Sequence, residues 1–168
     1  MTVASDIKKI AEQEATLMLE SFDEAVAFQL GTALRERALK DRLPICIDIR
    51  TFDRPLFYAA LPGSNASNPD WARRKFNALT RWLKSTYRLA LEKKNIDGIA
   101  DPREGLSGED YVFAGGAFPI RVRNAGVIGA IIVSGLPQRE DHGVVVDTLC
   151  DHLGIDRKKM ALPKAASK

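Results

Sequence analysis

Apolar residues run at helical spacing through the first forty positions, switch to strict alternation, return to helical spacing, alternate again and finish on one more helical stretch. Ile7, Ile10, Ala11, Leu17 and Met18 share a face of a first helix, with Ser5-Asp6 as its cap. Ser21-Phe22-Asp23-Glu24 has the spacing of a capping box, and the helix it restarts carries Val26, Leu30, Ala33, Leu34 and Ala38 on one side. Pro44 ends that helix. Ile45, Ile47 and Ile49 then alternate with Cys46, Asp48 and Arg50, the period of a strand with one buried face. Phe52-Asp53-Arg54-Pro55 is a turn, and 56–61 returns as a second strand closed by Pro62-Gly63.

Asn68-Pro69-Asp70 supplies a cap, an N1 proline and a first-turn acid. The helix it opens has an apolar stripe of Ala72, Phe76, Leu79, Leu83, Tyr87 and Ala90 and is expected to end near Asn95. Residues 97–110 hold Gly98, Pro102, Gly105 and Gly108 and read as a loop. Two alternating runs follow, joined by a turn at Asn124-Ala125-Gly126 and leaving through Ser134-Gly135. Gly115-Gly116 interrupts the first run, so 111–114 and 118–122 count as separate strands, five in all. A last helix runs from about Gln138 to Leu153, with Gly154 as its C′ residue. Hairpins separated by helices indicate an α+β fold.

The 168 residues fit one domain, assigned to 1–160, with 161–168 as a basic tail. Cys46 and Cys150 fall inside a strand and a helix, as reduced apolar side chains, and no CxxC or HxxxH spacing offers a zinc site. Asp48, Asp53, Asp101, Glu104, Glu109 and Asp110 show no metal-binding spacing. The first residues lack an apolar signal segment, and no apolar run reaches the ~20 residues that span a bilayer, so a cytoplasmic protein without a membrane partner is expected. A net charge of +3 is too small to imply nucleic acid.

Gly115-Gly116-x-x-Pro119-Ile120, Gly126-x-Ile128-Gly129-Ala130-Ile131-x-Val133-Ser134-Gly135 and the downstream Asp141 resemble the HbpS-like, or GlcG-like, heme-degrading domain family. Leu43-Pro44-Ile45-x-Ile47-Asp48-Ile49, Trp71-x-Arg73-Arg74-Lys75 and Ser134-Gly135-Leu136-Pro137-Gln138-Arg139-Glu140-Asp141-His142 point to its bacterial and fungal UPF-type branch. The resemblance covers about residues 20–155. It implies a profilin-like fold with a five-stranded antiparallel sheet of order 2-1-5-4-3, flanked by helices, and a homo-oligomer. It also implies heme or tetrapyrrole binding, in some members degradation.

Eight residues are candidate ligand contacts. Gly115 and Gly116 mark a bulge that either bends the sheet or brings backbone close to a ligand. Ser134 precedes a helix start able to hold an anion, although Glu140 and Asp141 compete for the same dipole. His142 shares a stripe with Val145, Val146, Leu149 and Leu153, and is either an inward-facing histidine bonded to a loop carbonyl, a ligand to heme iron or a general base. Arg74 and Lys75 belong to a helix crowded with Arg73, Arg81, Lys84 and Arg88; Arg74, Asn77, Arg81, Lys84 and Arg88 form a strip. That strip is a solvated face, a grip for propionates or other small anions, or a nucleic-acid contact, the last disfavoured by the lack of interleaved aromatics. Trp71 with Phe118 would form a slot for a planar ring. Three functional classes remain open: a heme- or tetrapyrrole-binding homo-oligomer, a non-catalytic interaction module, and an enzyme acting on a small anionic metabolite.

Overall fold

The structure is a computed structural model that describes residues 2–94, 98, 100 and 102–163. The elements are α1 (Val3–Thr16), α2 (Glu24–Lys40), β1 (Cys46–Thr51), β2 (Pro55–Ala60), α3 (Asn68–Trp82), α4 (Thr86–Glu92), a 3-10 turn (Pro102–Glu104), β3 (Ala117–Val122), β4 (Gly126–Ser134), α5 (Gln138–Leu153) and α6 (Arg157–Met160). The four strands form one antiparallel sheet in the order β2-β1-β4-β3. Strand alternation splits the core in two. Ile47, Ile49, Phe118, Ile120, Ile131 and Val133 pack on one face against α2 and α5. Cys46, Ala117, Ala130 and Ile132 pack on the other against Ala72, Phe76 and Leu79 of α3. Both faces of the sheet are therefore covered, and β1 buries Cys46 and Asp48 as well as its isoleucines.

The α+β class holds, but among the described residues the sheet has four strands rather than five, and its order differs from 2-1-5-4-3. Residues 111–114 stay outside it: the Phe113 N–H donates to the Gly98 carbonyl at 2.7 Å, and the Phe113 ring packs with Ala78, Leu89, Ala90 and Leu106. The edge of β3 is met instead by the link after α1. The Leu19 N–H donates to the Arg121 carbonyl and the Arg123 N–H to the Leu19 carbonyl, both at 2.9 Å.

The expected single helix from Asn68 breaks after Trp82. Leu83 turns left-handed at φ 54°, and Ser85 is extended. The Ser85 N–H is taken by Glu14 Oε1 of α1 at 2.8 Å, and Thr86 Oγ1 accepts from the Ala117 N–H at 3.1 Å. Tertiary partners capture the groups that a continuous helix would have used internally. The end expected near Asn95 falls at a position outside the described residues, as does 164–168 of the expected tail. The caps also move. Thr2 rather than Ser5-Asp6 caps α1, and Asp23 rather than Ser21 caps α2, accepting from the Val26 N–H at 2.9 Å. The last helix and its C′ Gly154 (φ 65°) stand as read. No described helix is long and apolar enough to cross a membrane.

Candidate functional site

A cleft of about 300 Å³ opens where the start of α3, the 114–115 loop and the β4–α5 turn meet. Trp71, Lys75, Gly115 and Ser134 line it together with Asn68, Gln138 and Asp141. The close approach depends on missing side chains. A Cβ on Gly115 would sit 2.2 Å from the Gln138 carbonyl oxygen. One on Gly116, whose φ is 126°, would sit 2.2 Å from the Val133 oxygen and 2.6 Å from Lys75 Nζ. The glycine pair thus lets α5 and Lys75 press against the backbone leading into β3.

Beneath the cleft lies a buried ion pair. Lys75 Nζ donates to Asp141 Oδ2 at 2.8 Å and to the Val133 carbonyl at 2.9 Å, and both side chains are almost fully enclosed. Asp141 Oδ1 accepts from the Leu136 N–H at 3.0 Å, which ties the β4–α5 turn to the first turn of the helix. Burial pushes the Lys75 ammonium below its ordinary value, against the pull of Asp141. Burial also raises the Asp141 carboxyl, against the pull of Lys75. Beside them Cys46 is a protonated thiol, pushed up by burial to about 11, and is no nucleophile at neutral pH.

The amides on the cleft wall have a defined orientation. Asn68 accepts from the Asn65 N–H at 2.7 Å through Oδ1, and Gln138 accepts from the Gly115 N–H at 3.3 Å through Oε1. Each oxygen is engaged, so each NH₂ group remains as a donor. Asn68, Gln138 and Ser134, which line the cleft beside Asp141, thus each carry a hydrogen-bond donor.

Four of the eight sequence candidates line this cleft, and Gly116 lies against its lysine. Arg74 stacks on Trp71, its guanidinium carbon 4.4 Å from the ring centroid, and pairs with Asp70 at 2.9 Å. Phe118 does not join Trp71. It alternates with Ala117 and points into the opposite core, so the expected slot is not formed. His142 is also in that core, 1% exposed, with its ring 5.7 Å from Phe118 and 5.3 Å from Tyr87. Gln13 of α1 donates to the Met160 carbonyl at 2.6 Å, so its oxygen accepts from His142 Nε2 at 2.8 Å. His142 Nδ1 is buried without a hydrogen-bond partner among the described residues. Burial lowers the imidazole to about 3, so it is neutral. The expected basic strip is split by the break at Leu83 and largely neutralised: Arg88 pairs with Glu14 and Glu92, and Lys84 with Glu92.

Asn68, Gln138 and the Lys75–Asp141 pair are what the sequence reading missed. The partners of that pair are 66 positions apart, and Asn68 and Gln138 read only as helix ends.

Comparison with known proteins decides the family. Residues 22–149, about three-quarters of the chain, match the family described as haem degrading protein HbpS-like. The chain belongs to the HbpS-like family. A UPF0303 protein of Mesorhizobium japonicum is 60% identical over 166 residues, covering 99% of each chain. A UPF0303 protein of Brucella abortus is 52% identical, covering 95% of this chain and 94% of its own. Among solved structures, Ybr137w superposes with a TM-score of 0.79 at 28% identity, over 88% of this chain and 87% of its own. A PduOC–heme complex shares the fold at a TM-score of 0.61 and 20% identity, over 79% and 94%. Helices α1 and α6 of this HbpS-like chain lie outside the span that the family match covers.

Proposed function

We propose that this HbpS-like chain binds a ligand with a planar body and carboxylate groups, tetrapyrroles being the leading class, in the cleft between Trp71 and the β4–α5 turn. The observation that carries the reading is the wall of donors: the Asn68 and Gln138 amide NH₂ groups and the Ser134 hydroxyl, with the Trp71 ring beside them. Such a wall suits an acceptor-rich ligand, and an indole suits a flat one. Family membership and the heme in the PduOC neighbour support the tetrapyrrole class. A cleft of about 300 Å³ is at the small end of ligand pockets, roughly 300–1,000 Å³. It takes a carboxylate-bearing edge of the macrocycle and leaves the rest outside.

Iron ligation is a separate matter, and here the residues do not fit. His142 is enclosed in the core, with Nε2 held by Gln13, on the far side of the sheet from Trp71. No group of three or more His, Cys, Asp or Glu among the described residues is placed to hold a metal ion. The proposed function is therefore binding, without chemistry at heme iron.

The test is a parallel titration with hemin and metal-free protoporphyrin IX. Both are expected to bind saturably and alike, to weaken in Trp71→Ala, and to be unaffected by His142→Gln. Binding of hemin alone, lost in the His142 variant, would overturn this placement. If neither binds saturably, the rival reading of a non-catalytic, profilin-like interaction module takes over. Self-assembly belongs to the same proposal: Phe28 and Tyr58 are 64% and 51% exposed, and the outer edge of β2 is unpaired among the described residues. Light scattering on the purified protein gives the oligomer mass; a monomer would remove this part.

A further inference from the structure

Lys75 is poorly suited to clamp an anion. Its charge is already matched by Asp141 at 2.8 Å, so the pair presents no net charge to the cleft. What the lysine does offer is an amine on a residue that lines an open cleft, next to the carboxyl of a second lining residue, in a space that a side chain on Gly116 would crowd. Two of its three substituent directions are taken by Asp141 and the Val133 carbonyl. Enclosed lysines beside a proton acceptor are the setting in which amines attack carbonyl carbons.

We propose that Lys75 captures a small keto acid reversibly as an imine, with Asp141 carrying the protons. The proposal rests on the reading of this cleft as the ligand site, and it adds a carbonyl to the chemistry of the ligand. Asp141 Oδ2 takes one proton from the Lys75 ammonium and frees the amine lone pair. Nζ attacks the keto carbon, the carbonyl oxygen becomes a hydroxyl with the proton returned by Asp141, and a carbinolamine results. The second proton on Nζ passes to Asp141. The hydroxyl then leaves as water as Asp141 protonates it, and a carbon–nitrogen double bond forms. No oxidant or reductant takes part. The directions in which burial moves the two groups, ammonium down and carboxyl up, both favour the amine–acid form that starts the sequence. The ligand's carboxylate meets the donors of Ser134, Asn68 and Gln138 on the same wall.

The experiment uses the full chain with pyruvate and borohydride, with lactate as a control of similar size that lacks the carbonyl, followed by peptide mass mapping. The expected result is one reduced adduct on Lys75, formed at least about tenfold faster than on any other lysine. Lactate gives none, and Lys75→Arg, which keeps the charge opposite Asp141, abolishes it. Asp141→Asn slows trapping about 100-fold, the usual size of a lost general acid–base group. Adducts spread evenly over surface lysines, or labelling unchanged in Lys75→Arg, would overturn the proposal. The wild-type peptide map decides the matter even where a variant fails to fold. Porphyrin titration keeps the two readings apart. Porphyrin binding without trapping removes the imine and leaves the cleft. Trapping at Lys75 without porphyrin binding supports the imine and moves the ligand class to keto acids.

Discussion

Asp141 and His142 are neighbours in the first turns of α5, both nearly sealed from solvent, yet they serve opposite sides of the protein. Asp141 turns toward α3, meets a lysine and reaches an open cleft. His142 turns toward α1, meets a neutral amide and reaches nothing but core. A helix presents successive residues about 100° apart, so adjacent positions belong to different faces. The lesson is that burial alone does not mark a site. Of these two buried residues of α5, Asp141 lines an open cleft and His142 does not.

The comparison is broken most forcefully from the Asp141 side. Asp141→Ala leaves Lys75 enclosed without its partner and is expected to cost about 3–5 kcal/mol in urea unfolding. The double variant Lys75→Met/Asp141→Leu should recover most of that loss, since no charge is then left unpaired; equal losses would show that the pair is not the source. Gly116→Ala comes next. Its Cβ has no room against the Val133 oxygen and Lys75 Nζ, and overpacking of this kind costs about 1–3 kcal/mol, with left-handed strain in addition. Porphyrin binding should fall with it. Gln13→Ala probes the other side, at about 1–3 kcal/mol for a buried imidazole N–H left without an acceptor. Amide exchange should rise in α1 while cleft affinity stays as it was.

Acid separates the two residues by sign. The imidazole of His142 sits at about 3 in the fold against an ordinary 6.5, so between those values the unfolded chain binds the extra proton. Its contribution is complete above about pH 6.5 and is lost toward pH 3, at about 1.4 kcal/mol per pH unit. Asp141 is raised above its ordinary 3.8, so in the window above that value acidification favours the fold. Unfolding free energies of wild type and His142→Gln from pH 7 to 4 should differ by the first slope; parallel curves would assign the acid sensitivity elsewhere. The smallest effect is at the rim. Arg74→Ala removes a guanidinium from the Trp71 face and should cost about 0.5–1 kcal/mol, read from the same urea curves.

The hairpin, the β1 alternation and the span of α5 were legible because their signals are local: Asn124-Ala125-Gly126, the Ile45-Ile47-Ile49 period and Gly154. The break at Leu83 was not, because it depends on Glu14 taking the Ser85 N–H from far along the chain. Residues 111–114 have the look of a strand, but Gly98 and the α3–α4 core compete for them, and Leu19 takes the edge they were expected to fill. For the site, the sequence named Trp71, Lys75, Gly115 and Ser134 as ligand candidates, and the fold brings these four to the lining of one cleft. The sequence had no means to pair Lys75 with Asp141, nor to see that Phe118 and His142 face away from α3. Such outcomes are fixed by which face of a strand or helix is turned to which neighbour, a matter of tertiary packing.

The two tryptophans of this chain differ in surroundings, and that difference makes the protein its own optical instrument. Trp71 borders the cleft under a guanidinium, whereas Trp82 is packed edge-on to Phe113 at 5.2 Å with Lys93 and Arg81 over its ring. Trp82 is not among the residues that line the cleft, so a Trp82→Phe chain would leave a single emitter beside it. Occupancy could then be followed in solution without a label, through quenching or a change in emission wavelength. The same signal would serve for ligands that carry no colour of their own.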